Sequence, residues 1–201
     1  FVLNNVSFKI EKGEKVAFVG HIGSGKSTAV KLLLGFQPLT MGNISINGVS
    51  INEISNHQLR KNVFYIPQKP KLFNRTLYEN ITYGLENPPD EADILTILDE
   101  LNMKDVFKEK MNKKVGLDGN NLSGGQKQIV WLLRSFYRKS KIIVMDEPTA
   151  SLDQDNKELL LKTINKLSIG KTLIIISHDP IDYNFRKIEF KDGKISESMF
   201  F

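Results

Sequence analysis

The chain has no cysteine, which excludes a disulfide framework and a thiolate zinc site. It has no apolar run approaching about 18 residues, so no segment reads as a membrane-spanning helix. It opens on Phe1-Val2-Leu3 without a charged leader or a small-residue cleavage site. Neither sign of charge dominates: 28 Lys and Arg stand against 23 Asp and Glu, for a net charge of +5. A basic balance invites a nucleic-acid reading, but the basic residues are spread along the chain among acids, so no nucleic-acid partner is expected. The densest cluster, Lys108, Lys110, Lys113 and Lys114, reads as a solvated helix face and turn. With 40% hydrophobic and 25% charged residues the composition is that of a globular protein, not of a disordered or repetitive one. The 201 residues suffice for one core, alone or with a small appended subdomain.

What is present alternates between two patterns. Val16 to Val19 is a short β-prone run, followed by a glycine-rich loop and a helical stretch from Ala29 to Leu34. Ile44 to Ile46 ends at Asn47-Gly48, and Ile188 to Phe190 and Lys194 to Ser196 flank Asp192-Gly193; both dipeptides are hairpin signals. Val63 to Ile66, Ile142 to Met145 and Leu173 to Ile176 are further strands. Between Pro70 and Lys139 helical spacing takes over, with Ile94, Leu98 and Leu101 on one face after the acidic first turn Asp90-Glu91. A second helix is expected over Asn156 to Leu167. Continuous apolar strands alternating with helices imply an α/β protein with a parallel sheet covered on both faces. The boundaries that follow are a core of residues 1–69 and 140–201 with an inserted helical subdomain, 70–139.

Gly20-His21-Ile22-Gly23-Ser24-Gly25-Lys26-Ser27 fits the phosphate-loop pattern, in the strand–loop–helix context that its chemistry requires. Glycines let backbone N–H groups converge on phosphate oxygens, and the helix N-terminus adds its positive dipole end. Lys26 is placed to bridge the β- and γ-phosphates and Ser27 to hold Mg²⁺. Ile142 to Met145 then ends in two acids, Asp146 and Glu147. Asp146 is the candidate for orienting Mg²⁺, and Glu147 for polarising an attacking water. Leu122-Ser123-Gly124-Gly125-Gln126 sets a capping box, Ser123 with Gln126, and two glycines at another helix start. A second phosphate-grade helix end in one chain suggests service to a nucleotide held by another chain.

Taken in order, these motifs resemble the nucleotide-binding domain of an ATP-binding cassette (ABC) ATPase. The chain presents the P-loop from Gly20 to Thr28, a Q-loop glutamine at Gln68, the LSGGQ signature, the Walker B strand to Asp146, Glu147, a D-loop Ser151-Leu152-Asp153 and a switch histidine at His178. The resemblance implies a P-loop NTPase fold: a RecA-like parallel-sheet core with an antiparallel β subdomain, plus the helical insertion. It further implies ATP and Mg²⁺ as ligands and a head-to-tail dimer, homo- or heteromeric, with two ATP molecules between the subunits. Gly20, Gly23, Ser24, Gly25, Lys26, Ser27 and Thr28 of one chain would hold each nucleotide with Ser123, Gly124, Gly125 and Gln126 of the other. Asp153 would carry contacts across the dimer. Glu147 resembles the catalytic base and His178 the residue that meets the γ-phosphate. Gln68 would approach Mg²⁺, beside Ser27 and Asp146, and the attacking water.

Leu59-Arg60-Lys61-Asn62, Tyr65-Ile66-Pro67-Gln68, Leu72-Phe73-Asn74, Glu79-Asn80-Ile81 and Lys114 to Gly119 resemble the exporter branch. That resemblance implies ATP-powered export at the cytoplasmic face of a membrane. The transmembrane domain would be fused ahead of Phe1, which is read as a cut point within a strand-like segment. The family's adenine-stacking aromatic is expected upstream of it. The competing reading is a soluble ABC-type ATPase acting in translation or on DNA. The chain departs from the family at Leu117, where an acid is usual and Asp118 is the expected substitute. It departs again at Ile129, Val130 and Trp131, where packing is expected, and over Asp179 to Tyr183.

Overall fold

The computed structural model describes residues 2–150, 152–178 and 185–196. Ser151 of the D-loop and the unusual stretch from Asp179 to Tyr183 lie outside the described residues. The chain divides into two compact units, Phe1–Gln68 with Ser140–Ala150 and Gly170–Phe201, and Lys69–Lys139 with Ser151–Ile169. The second unit takes in 151–169, a stretch that sequence pattern alone leaves with the core, because its helix packs on the helix that follows the signature.

The first unit is built on a sheet ordered β4-β5-β6-β1-β7-β8. Its strands are β1 (Lys15–Val19), β4 (Val63–Ile66), β5 (Ile142–Asp146), β6 (Thr172–Ile176), β7 (Arg186–Lys191) and β8 (Lys194–Ser196). The pairs β4–β5, β5–β6, β6–β1 and β1–β7 are parallel, and β8 closes the edge antiparallel to β7. The apolar runs are unbroken because central strands are covered on both faces: every residue of β6 is buried. Helix α1 (Lys26–Leu33) follows β1, and α2 (Asn56–Asn62) precedes β4. Phe18 and Phe190 lie 5.0 Å apart in the core, with Val16, Val30, Ile174 and Ile188 around them. Each such side chain stabilises the fold by roughly 1.5–3 kcal/mol through burial.

Both hairpin signals are realised. A small separate sheet pairs β2 (Ser45–Ile46) with β3 (Val49–Ser50). Its turn residues Asn47 and Gly48 have φ of 51° and 79°, and Asp192 and Gly193 have 49° and 73°. Positive φ at both central positions matches the twist of the flanking strands. Residues 2–12 differ from the expectation of a strand-like start: they form no strand. Asn5 turns the chain at φ 54°, while Leu3, Val6 and Ile10 still pack on the core.

The second unit is helical: α3 (Leu77–Ile81), α4 (Glu91–Glu100), α5 (Lys104–Lys108), α6 (Gly124–Tyr137) and α7 (Gln154–Leu167), with a 3₁₀ turn at Leu117–Gly119. Ile94 and Leu98 are fully buried, as their spacing requires. Ile129 and Val130 are buried in α6. Trp131 donates from Nε1 to the Lys71 carbonyl, 3.2 Å away, and its ring lies 4.9 Å from the Arg134 guanidinium carbon. The bulky residues after the signature are therefore packing groups. Asp118 pairs with Lys71 at 2.8 Å, and Leu117 is exposed.

Candidate active site

Parallel strands bring their carboxyl ends to one edge, and ligands of open α/β sheets gather there. In the order β4-β5-β6-β1 the residues at or just past those ends are Gln68, then Asp146 and Glu147, then His178, then the loop from Gly20 to Lys26. Residues up to 158 positions apart in sequence thus become neighbours.

The Glu147 carboxylate is the hub. Gln68 donates from Nε2 to its Oε2 at 2.7 Å. His178 Nε2 lies 2.5 Å from its Oε1, and the other ring nitrogen, Nδ1, lies 3.2 Å from the Gly20 carbonyl. Both imidazole nitrogens face acceptor oxygens, so each contact is a hydrogen bond when that nitrogen carries a proton. Glu147 has φ 45°, an uncommon conformation outside glycine. It is held there by its own N–H, which donates to the Ile176 carbonyl at 2.9 Å. Strained backbone held by its surroundings clusters at functional sites.

The loop after β1 is tightly determined. Gly20 has φ 138°, and a Cβ there would stand 2.2 Å from the Phe190 carbonyl oxygen; no larger residue fits. Gly25 caps α1 without any side-chain hydrogen bond, which leaves the first-turn N–H groups of Lys26, Ser27 and Thr28 for an anion. Lys26 is buried; its ammonium donates to the Gly20 and His21 carbonyls at 2.6 and 2.8 Å and to Ser24 Oγ at 3.4 Å. Burial lowers its pKa, while Glu147 and then Asp146 oppose that shift. Ser27 is exposed on the first turn of α1.

Asp146 accepts a hydrogen bond on Oδ2 from the Tyr65 hydroxyl at 2.9 Å. Burial, then the Asp146 charge, pushes the Tyr65 hydroxyl well above its usual pKa, so it remains a donor. Sequence reasoning missed this contact; the only signal was a tyrosine three residues before Gln68.

The remaining candidates belong to the helical unit. Ser123 Oγ accepts from the Gln126 N–H, and Gln126 Oε1 accepts from the Ser123 N–H, both at 3.2 Å. Lys110 Nζ also reaches Gln126 Oε1, at 3.2 Å. Gly124 is exposed, with nothing within 4 Å of where a Cβ would stand, whereas Gly125 faces Leu152 at ordinary contact distance. Asp153 caps α7, accepting from the Asn156 N–H at 2.9 Å and from Asn156 Nδ2 at 2.7 Å. The backbone N–H first, then the side-chain amide, hold its pKa below the ordinary value.

The sequence model of the ABC transporter family matches residues 3–150. The chain belongs to the ABC transporter family. It is 43% identical over 180 residues to the ABC transporter ATM1 of Plasmodium falciparum, an alignment covering 89% of this chain and 17% of that protein. It is 39% identical over 201 residues to the multidrug resistance-like ATP-binding protein MdlB of Buchnera aphidicola, covering 98% of the chain and 34% of that protein. An ATP-dependent lipid A-core flippase of Saccharophagus degradans is 38% identical over 88% of the chain and 30% of its own length. The fold superposes on a bacterial Atm1-family ABC exporter with ATP bound at a TM-score of 0.87 and 30% identity, over 99% of this chain and 36% of that one. The chain thus spans about a third or less of the length of these ABC transporter relatives, as a cassette with the exporter-type P-loop NTPase fold. Among the described residues no helix is long and apolar enough to cross a membrane.

Proposed function

We propose that this chain is the nucleotide-binding domain of an ABC exporter, hydrolysing ATP with Mg²⁺ to power transport of a substrate selected elsewhere in the protein. The observation that carries the reading is the Glu147 carboxylate held between Gln68 and His178, at the sheet edge shared by the Lys26 loop. The named relatives, an ABC exporter, an ABC transporter and a flippase among them, favour transport over the soluble alternative.

In this reading the first-turn amides of α1, Lys26 and Thr28 bind the phosphates. Glu147 accepts the proton of the water as its oxygen bonds to the γ-phosphorus and the bond to the bridging oxygen breaks. Gln68 and His178 orient that carboxylate, and His178 also reaches the loop through Gly20. Among the described residues no cluster of three His, Cys, Asp or Glu forms a metal cage by itself. Ser27, Gln68 and Asp146 offer hydroxyl, amide and carboxylate oxygens, a hard donor set that fits Mg²⁺ shared with phosphates. Held by those residues, Mg²⁺ would neutralise charge on the phosphate oxygens.

The signature serves a partner in this proposal. Gly124 lies in exposed helical backbone with open space at its Cβ position, so packing within the chain does not call for glycine there. Close approach of another subunit's nucleotide to Ser123, Gly124, Gly125 and Gln126 supplies the reason. A second nucleotide-binding domain, a fused transmembrane domain and a place at the cytoplasmic face of a membrane complete the reading. The test is Glu147→Gln in the full chain: ATP binding persists, hydrolysis stops and a closed dimer accumulates. Hydrolysis at the parent rate would sink the assignment of the base.

A further inference from the structure

Tyr65 stands in the Tyr65-Ile66-Pro67-Gln68 segment with no role assigned to it, yet it touches the site. It lies on β4, in parallel register with Val144 on β5. That pairing sets Tyr65 beside β5, two residues before Asp146. Phe36 packs edge-on against the ring, with centroids 6.1 Å apart and planes at 87°. The ring is half-buried, and its hydroxyl reaches Asp146 Oδ2 at 2.9 Å. Among the described residues Tyr65 is the one side chain hydrogen-bonded to that carboxylate. An aspartate at a strand end otherwise rotates broadly about its terminal torsion. A donor fixed on Oδ2 by a packed ring removes that freedom and commits Oδ1 to whatever else the carboxylate holds.

We propose that Tyr65 is a positioning residue for metal binding, presetting the Asp146 carboxylate so that Oδ1 faces the cation directly or through one water. The inference rests on the reading of Asp146 as a metal-holding residue. It assigns to β4 a role beyond delivering Gln68: hydrogen bonding outside the first ligand shell orients a ligating carboxylate and tunes its affinity.

The experiment uses the full chain loaded with a non-hydrolysable ATP analogue and Mn²⁺ as a spectroscopic probe, titrated by electron paramagnetic resonance. Tyr65→Phe keeps the ring and its contact with Phe36 and removes the hydroxyl alone. Mn²⁺ affinity is expected to fall about tenfold or more, the scale of one lost charge-assisted hydrogen bond to a ligating carboxylate. Analogue affinity in EDTA and the melting temperature should stay at parent values, and the Mg²⁺ concentration for half-maximal hydrolysis should rise in parallel. A purely structural role would move the melting temperature and leave the metal requirement in place. Mn²⁺ affinity within about twofold of the parent overturns the inference. In an Asp146→Asn background Tyr65→Phe should add no further loss; an additive loss also overturns it. Asp146→Asn alone separates the two levels. If it weakens Mn²⁺ binding while Tyr65→Phe does not, the positioning role fails and the site reading stands. If Asp146→Asn itself leaves Mn²⁺ binding unchanged, the reading of Asp146 fails and the inference with it.

Discussion

Glu147 and His178 meet at 2.5 Å, with the imidazole wedged between the Glu147 carboxylate and the Gly20 carbonyl. A single ring thereby ties the end of β5 to the loop after β1. Loss of His178 should therefore act on both. His178→Ala is expected to cut kcat by about 10²-fold with a smaller change in KM, since the ring orients the base more than it binds nucleotide. Steady-state kinetics of the full chain check this. A change confined to KM would show that His178 serves binding alone.

Gly20 and Gly124 should respond in opposite ways to the same substitution. Alanine at Gly20 drives a methyl into the Phe190 carbonyl at a φ of 138°, and the neighbour is backbone that cannot swing aside. Gly20→Ala is expected to cost about 3 kcal/mol or more. Gly124→Ala enters open space on a helix, so its stability should stay within about 0.5 kcal/mol of the parent. Its ATPase activity should nonetheless collapse, because the methyl would stand where the partner's nucleotide approaches. Thermal melts and ATPase assays on both variants decide the matter. A destabilised Gly124→Ala protein would return that glycine to a packing role.

Much of this site is readable before any coordinates, for a physical reason. The P-loop, the capping box at Ser123 and the turn at Asp192-Gly193 are each encoded within a few adjacent residues, where glycine freedom and capping chemistry act locally. Asp146 and Glu147 are legible because an apolar strand must end in something polar. Tyr65 is different. Its contact with Asp146 spans 81 positions and exists because β4 and β5 pair in one particular register, which no local pattern encodes. His178 reads as a plain strand-end histidine until β6 is placed between β5 and β1. The start of α7 precedes the expected Asn156 for a different, local reason. The spacing of Leu160, Ile164 and Leu167 fixes the buried face, but Asp153 sets the first turn by capping, which makes Gln154 the first helical residue.

Lys26 carries a prediction that separates binding from folding. Its ammonium is buried on loop carbonyls, so truncation removes both a charge for phosphate and a brace for the loop. Lys26→Ala is expected to weaken ATP binding by about 100-fold, in line with losing charge-assisted hydrogen bonds. The fold persists, because the loop backbone is held independently by the Gly193 N–H on the Ser24 carbonyl at 3.1 Å. Unchanged nucleotide affinity by calorimetry would remove Lys26 from the site.

Lys171, at the turn before β6, gives the pH dependence. Burial first, then the nearby Lys141 charge, lower its pKa from 10.5 to about 8. The folded state thus holds this proton less tightly than the unfolded chain does. Between pH 8 and 10.5 the unfolded chain binds more protons, so stability from this group rises with pH across that window and is at its lowest below it. The side chain is still partly exposed, which screens the effect. Lys171→Met removes the cost of burying an ammonium and should raise the melting temperature at pH 7. It should also flatten the rise that the parent shows above pH 8. Melting curves of the two proteins from pH 7 to 10 make the comparison; parallel curves would mean that the Lys171 ammonium is solvated in the folded state.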